Sequence, residues 1–443
     1  MPDKSSHKFS DKVVAYLAAV DTYVPRKTDE LEDLYRLFAR QLSQSLDGRY
    51  LEKHPPNELL PAIEHLLITC LDRGDTDIIV ELTPIDDGTN TRAILITASK
   101  DQPFILSAIR QGLEWKSVTT LRSFNTIIPV RRETSGRISG LGTEGQTLES
   151  FFWAEIEGDN LLERKKSIVE CISTRLKQIQ LSVLGYPTMQ DALTKCAQTF
   201  YEHAEKKNHQ QYRIYAQFLD WLQSKHFVVL GTKWIALKQE AQHNAMDLGT
   251  GHQASLVETN LELSLNEEDS LRELAKAPFL QVQKSKVESW LYRPGHLNRV
   301  AASTLDAEAN PDGILLIEGL FSFEGLAEPK TSIPMLNHMM QRILESSDAR
   351  QGSHRHRTIR KAFNSLPLDY LFALNENDIT QLVEELLNSD AEEGIQIHTS
   401  LDQNNQSAFV FVILPRSYYS DDLRGAIRRL LALELGSRSV DDG

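Results

Sequence analysis

Residues Ile94–Val130 read ILITASKDQPFILSAIRQGLEWKSVTTLRSFNTIIPV, and the succession of patterns in this stretch sets the fold class. Ile94, Leu95 and Ile96 make a short apolar strand. Ser99 and Asp101 are residue types that cap helices, and Pro103 near a helix start lacks an N–H that would be unpaired there anyway. Phe104, Ile105, Ala108, Ile109 and Leu113 then recur at helical spacing, with Gly112 where the helix should fray. Thr126–Val130 is a second strand. Strand, capped turn, helix and strand form one βαβ-like unit. Its turn is where a small ligand or a partner would meet backbone N–H groups that the helix leaves open.

The same grammar extends over 75–185. Ile78–Leu82, Arg92–Thr97 and Asn125–Val130 are strand-like, and Pro84–Gly88 is a hairpin turn between the first two. A polar, glycine-rich loop follows Val130. Phe151–Glu157 is another strand, and Ile168, Ile172, Leu176, Ile179 and Val183 form an amphipathic helix that ends before Gly185. This predicts an α+β domain, a mostly antiparallel sheet with helices on one face.

Outside that domain, 1–74 is helical, with apolar faces around Leu17, Leu34 and Leu66 separated at Pro25 and at Pro55-Pro56. Residues 186–225 read as a helical linker. Residues 226–327 are β-rich, with strands from His226, at Phe279–Lys284, Ser289–Tyr292, Arg299–Ser303 and Gly313–Phe323, and a mobile polar excursion over Gln239–Glu268. Residues 328–374 are helical again, one helix capped at Ser332-Ile333-Pro334 and another over Arg357–Ser365. Over 375–435 come a helix led by Asn377-Asp378, strands at Ile395–Thr399 and Ala408–Leu414, and a helix capped by Ser420. This order echoes the first α+β domain. The tail 436–443 is patternless and expected to be disordered.

At 443 residues the chain predicts two to four domains. A formal charge of −14 argues against nucleic acid as the main partner, since phosphate neutralisation needs a basic face. Cys70, Cys171 and Cys196 lie on apolar helix faces without CxxC spacing, which reads as buried reduced thiols in the cytoplasm. The longest apolar runs, Val13–Val20 and Phe409–Leu414, are too short to span a bilayer, so no membrane role is expected.

Gly140-Leu-Gly142-Thr-Glu-Gly145 matches GxGxxG. A polar stretch precedes it and a strand follows it, so no helix N-terminus is there for a pyrophosphate; a hairpin loop is the reading. His354 and His356 alternate with arginines, and His203 and His209 are six apart without a third ligand, so no metal is expected. The basic run Ser353–Lys361 presents His354, Arg355, Arg357 and Arg360, which contact an acidic neighbour or hold an anion. No nucleophile stands with its base in any motif, and no catalytic residue is assigned.

Six stretches, in order, carry a resemblance. They are Asp101-Gln-Pro-Phe-Ile-Leu106; Phe218-Leu-Asp-Trp-Leu with His226-Phe-Val-Val-Leu-Gly231; Lys284-Ser and Ser289 with Arg293-Pro294; Gly319-Leu-Phe-Ser322 with Ile333-Pro334; Ser353-His354 with Pro367-Leu-Asp369 and Leu371-Phe372; and Val412-Ile-Leu-Pro-Arg416 with Tyr419 and Leu423-Arg424. Together they resemble the N-terminal, non-catalytic region of the large bacterial NAD-specific glutamate dehydrogenases, which convert glutamate to 2-oxoglutarate in amino-acid catabolism. The resemblance implies ACT-like (ferredoxin-like) α/β sandwiches near 75–185 and 375–435, a central β-rich domain and helical linkers. It implies a regulatory role, with no cofactor in this chain and NAD used by a catalytic domain elsewhere. Partners would be a second copy, the catalytic portion of the enzyme, or an amino-acid effector at Ser99, Asp101, Gln102, Pro103 and Phe104. Arg355 and Leu368 depart from the family's Asp and Arg, and Phe104 stands where the generic ACT turn has glycine, which favours assembly over ligand capture. The chain would be a fragment of such an enzyme or a free-standing relative. The alternatives from other classes are an enzyme with a site in 226–327 and a protein–protein adaptor.

Overall fold

Alternation of apolar and polar residues, broken by helical periods, builds two units in the computed structural model of the chain. It describes residues 4–25, 31–43, 46, 48–73, 78–86, 88, 90–142, 147–239, 246–248, 252–255, 265–289, 292–293, 295–388, 395–402 and 407–434. One unit comprises Met1–Leu184 with Ser289–Pro294; the other comprises Gly185–Glu288 with Gly295–Gly443. No described helix is long and apolar enough to cross a membrane.

The first unit opens with α1 (Lys4–Thr22), α2 (Glu32–Ser43), α3 (Gly48–Lys53) and α4 (Pro56–Leu71). Next come β1 (Ile78–Pro84), β2 (Arg92–Lys100), α5 (Ile105–Trp115), β3 (Thr119–Arg132), β4 (Ile138–Leu141), β5 (Thr147–Glu157) and the start of α6 (Leu161–Lys207). The strands pair in the order β1-β2-β5-β3-β4, antiparallel throughout. Period-2 patterning places Ile96, Ala98, Phe124, Ile128, Phe151 and Trp153 on one face, against buried side chains of α1 to α4. The OH groups of Tyr16 and Tyr35 donate to the carbonyls of Ala39 (3.0 Å) and Leu60 (3.1 Å), so these large rings are buried with their polar ends satisfied. Leu95, Thr97, Phe152, Ala154 and Ile156 point to the opposite face and are buried too, and α5 meets β3.

Four expectations are corrected here. Helices lie on both faces of the sheet rather than one, because the N-terminal helices need an apolar surface to cover. Helix α5 does not fray at Gly112 but runs to Trp115; Gly112 is buried, with Arg175 Cδ 3.3 Å from where a Cβ would stand. Helix α6 does not stop before Gly185 but continues through Pro187 to Lys207. Gly140 belongs to β4, opposite Arg131, and Gly142 takes a left-handed φ of 75°; residues 143–146 of the GxGxxG match lie outside the described residues.

The second unit continues with the rest of α6, α7 (Gln210–Trp221), β6 (Phe227–Gln239), β7 (Met246–Leu248), β8 (His252–Ser255) and α8 (Leu265–Leu274). After these come β9 (Leu280–Ser289), β10 (Gly295–Leu305), β11 (Pro311–Phe321), α9 (Phe323–Ala327), α10 (Pro334–Ser346), α11 (His354–Ser365), α12 (Leu368–Ala373) and α13 (Glu376–Asn388). It closes with β12 (Gln396–Leu401), β13 (Ala408–Ile413) and α14 (Asp421–Glu434). The main sheet runs β7-β6-β11-β10-β9, with β8 also on β6. Strand β11 is apolar at nearly every position because both faces are covered. Leu315, Ile317 and Phe321 meet the core of α6, α7 and α10 to α13, while Ile314 and Leu316 meet Leu271 and Ala275 of α8.

Residues 186–225 are therefore not a linker. Phe200, Phe218 and Leu222 are fully buried in this core. In the excursion expected over 239–268, Gln239 ends β6, β7 and β8 follow, and 265–268 begin α8; residues 240–245, 249–251 and 256–264 lie outside those described. Tyr292 is not in a strand, since its φ is +69°. Ser332 does not cap α10; Ile333 occupies the cap position, and the Ser332 hydroxyl donates to Pro329 O at 2.6 Å. The expected tail 436–443 lies outside the described residues.

Candidate functional site

The turn 99–104 brings five candidate residues together in the first unit, yet offers little open backbone. Ser99 is not a cap. It sits on β2 opposite Ile78, buried, its hydroxyl donating to Lys100 O (3.2 Å). The Asp101 N–H donates to Leu148 O at 2.8 Å, and burial pushes the Asp101 carboxyl above its ordinary value, partly offset by a hydrogen bond from the Gln102 backbone. Gln102 Oε1 is buried with no hydrogen-bond partner among the described residues, and Pro103 is exposed. Phe104 holds the cap position of α5 with φ +71° and no side-chain cap. Its ring packs edge-on against Tyr292 with centroids 5.6 Å apart.

The basic run forms α11 in the second unit. Ser353 caps it by accepting from His356 N–H at 3.1 Å. Arg355 reaches both oxygens of Glu384 (2.6 and 2.8 Å), His354 Nδ1 lies 3.4 Å from the Thr358 hydroxyl, and Arg357 and Arg360 are exposed.

Reasoning from sequence missed three arrangements in the second unit. The first is a cavity of about 230 Å³ bounded by α7, β9, α10 and the α12–α13 junction. Helix α10 buries Leu336, Met340 and Ile343, so Met335, His338, Met339 and Arg342 share the adjoining stripe and line the cavity. Ile214, Leu371 and Phe372 give it an apolar wall; Arg342 and Glu376 form an ion pair at its rim. Burial and the Arg342 charge hold the His338 imidazole below its ordinary value, against the opposing pull of Glu376 and Glu345. A guanidinium and a carboxylate at one mouth match the two ends of a zwitterion.

The second is a buried charge cluster. Arg299 on β10 donates from Nε (2.9 Å) and Nη2 (2.6 Å) to Glu318 Oε1 on β11 and from Nη1 to Glu267 Oε1 (3.0 Å). Ser285 also donates to Glu318, at 3.3 Å. All four residues are buried. The third is a joint after α7, where the Trp221 indole N–H donates to Glu328 Oε2 (3.0 Å) and His226 Nε2 lies 2.8 Å from the same oxygen. Trp221 and His226 stack with centroids 4.6 Å apart. Apart from the Trp221–His226 stack, these contacts have no local spacing signature, because their members lie 19 or more positions apart in the chain.

The sequence model of a family described as glutamate dehydrogenase, helical motif 1, matches residues 333–392, which span α10 to α13 and so one wall of the cavity. The NAD-specific glutamate dehydrogenase of Pseudomonas aeruginosa is 20% identical over 344 residues, covering 75% of this chain and 21% of that enzyme. That of Halomonas elongata is 18% identical over 372 residues, covering 80% of this chain and 23% of the enzyme. The chain thus spans about a fifth of the length of the curated relatives it matches. These matches relate the chain, distantly, to NAD-specific glutamate dehydrogenases.

Proposed function

We propose that this chain is a regulatory and assembly region of a cytoplasmic NAD-dependent glutamate dehydrogenase, or a free-standing relative of that region, and that it carries no hydride chemistry itself. The observation that carries this reading is the work done by the residues that bear the resemblance. Lys284 pairs with Asp369 at 2.7 Å; Trp221 and His226 share Glu328; Ser353 caps α11; Gly319 admits the backbone of Val228. Each holds a fold together, as a scaffold requires. The order β1-β2-β5-β3, with α5 joining β2 to β3 and α6 after β5, supports an ACT-like sandwich in which β1 takes the last strand's place. The run α13-β12-β13-α14 supports a second, smaller unit of that kind. The test is glutamate-dependent NAD reduction by the purified chain: no turnover is expected, and turnover would overturn the reading.

A second reading, an amino-acid effector, is favoured by the Arg342–Glu376 pair at the cavity mouth rather than by the 99–104 turn, where the Phe104 ring stands. Calorimetry with a panel of amino acids tests it. Heat that falls roughly tenfold in affinity on Arg342→Gln, the usual loss for one charge-assisted contact, is expected; silence across the panel would sink it.

A further inference from the structure

The cavity of about 230 Å³ beside α10 separates its charge from its apolar lining. At the mouth the side chains of Arg342 and Glu376 are 51% and 30% exposed. Their ion pair joins Nη2 to Oε2, and neither side chain has a further ion pair or hydrogen bond among the described residues. Nε, Nη1 and Oε1 are therefore left for the carboxylate and the ammonium of a ligand. The lining's buried part is apolar, with Leu336, Leu371 and Leu374 almost wholly withdrawn from water and Met335, Met339 and Phe372 beside them.

No second full charge stands among the lining residues. Burial and Arg342 hold His338 toward its neutral form, and the Asn375 amide is engaged by Asp378 at 2.7 and 3.0 Å. Spacing along α10 sets the reach. At 1.5 Å per residue, Met339 and Met335 stand about 4.5 and 10 Å along the helix from Arg342. A side chain of four heavy atoms spans the first interval and enters the second; the single methyl of alanine covers neither. Methionine walls adapt to either a branched or a straight occupant.

We propose that this cavity takes a free amino acid with a large uncharged aliphatic or thioether side chain, such as leucine or methionine, and rejects amino acids with charged side chains. A carboxylate or guanidinium carried past the mouth meets no counter-charge, and an unpaired buried charge costs more than the methylenes gain. The inference rests on the effector reading above and adds to it the class of side chain.

The experiment is calorimetry of the full chain with leucine, methionine, alanine, glutamate, arginine, 4-methylpentanoate and isoamylamine. Leucine and methionine should bind some tens of fold more tightly than alanine, at about fourfold per buried methylene. Glutamate, arginine and the two analogues that lack one charged end should each be weaker than leucine by tenfold or more. Met339→Trp and, separately, Met335→Trp fill the cavity and should abolish the leucine heat, with circular dichroism confirming the fold. Met339→Lys supplies the missing cation and should turn the preference toward glutamate. Glutamate or arginine binding wild type as tightly as leucine would overturn this inference and leave the effector reading standing. A leucine heat that survives in folded forms of both tryptophan variants would overturn the assignment to this cavity. Silence from every amino acid would remove the effector reading, and this inference with it.

Discussion

A Cβ on Gly319 would stand 2.1 Å from the carbonyl oxygen of Val228. Strand β11 changes register with β6 between Glu318 and Gly319, drawing the two backbones together there. Backbone cannot yield as a flexible side chain can. Gly319→Ala is therefore expected to destabilise the second unit by about 3 kcal/mol, the upper end for overpacking. Denaturant unfolding of the chain measures it.

Arg299 is held by two buried carboxylates, so removing it strands both. Arg299→Ala should cost about 3–5 kcal/mol, whereas Arg299→Met combined with Glu318→Leu and Glu267→Gln should recover most of that loss. The comparison of unfolding midpoints decides whether the cluster stabilises or merely specifies the sheet register.

Glu328→Ala removes the acceptor of the Trp221 indole. The part-buried N–H is left unpaired, at about 1–2 kcal/mol, while Glu328→Gln, which retains an acceptor, should lose less. Indole fluorescence and thermal unfolding of the two variants report this directly.

The His338 imidazole is held low by burial and by Arg342. The folded chain therefore binds fewer protons there than the unfolded chain once the pH nears 6.5. Its contribution to stability is complete above that pH and is lost as the pH falls below it. His338→Gln should flatten the acid side of the stability profile, leaving a residual slope from His54, which burial and Arg122 shift the same way.

Cys70 and Cys196 are buried, and burial pushes both thiols up, Cys196 to about 12. Cys171 is only half-buried. A maleimide at mild pH should label Cys171 on the folded chain and reach the other two only after unfolding, a difference that mass spectrometry counts.

The strands and the helix of 78–115 were legible because each carries its signal locally: short apolar runs at Ile78–Val80 and Ala93–Ile96 for β1 and β2, and a period near 3.6 for α5. The same was true of α13, β12, β13 and α14. Local pattern misled where glycine or proline was read as punctuation. Gly112 stays helical because Arg175 packs over it, and Pro187 lies inside α6. Propensity is a weak prior that tertiary packing overrides.

The candidate sites divide in the same way. The residues of 99–104 and 353–361 are neighbours in the chain, so their grouping was readable. Arg342 with Glu376, Trp221 with Glu328, and Arg299 with Glu267 and Glu318 are pairings across 19 or more positions, invisible until the sheet and helices pack.

By itself the sequence determined which segments are strands, which are helices, and which faces are apolar, since those depend on neighbours a few residues away. Only the tertiary structure decided that 1–72 covers one face of a sheet, that 186–225 is core rather than connection, and where charges meet. Those outcomes depend on which distant apolar surfaces find each other, and burial then dictates which polar groups must be paired.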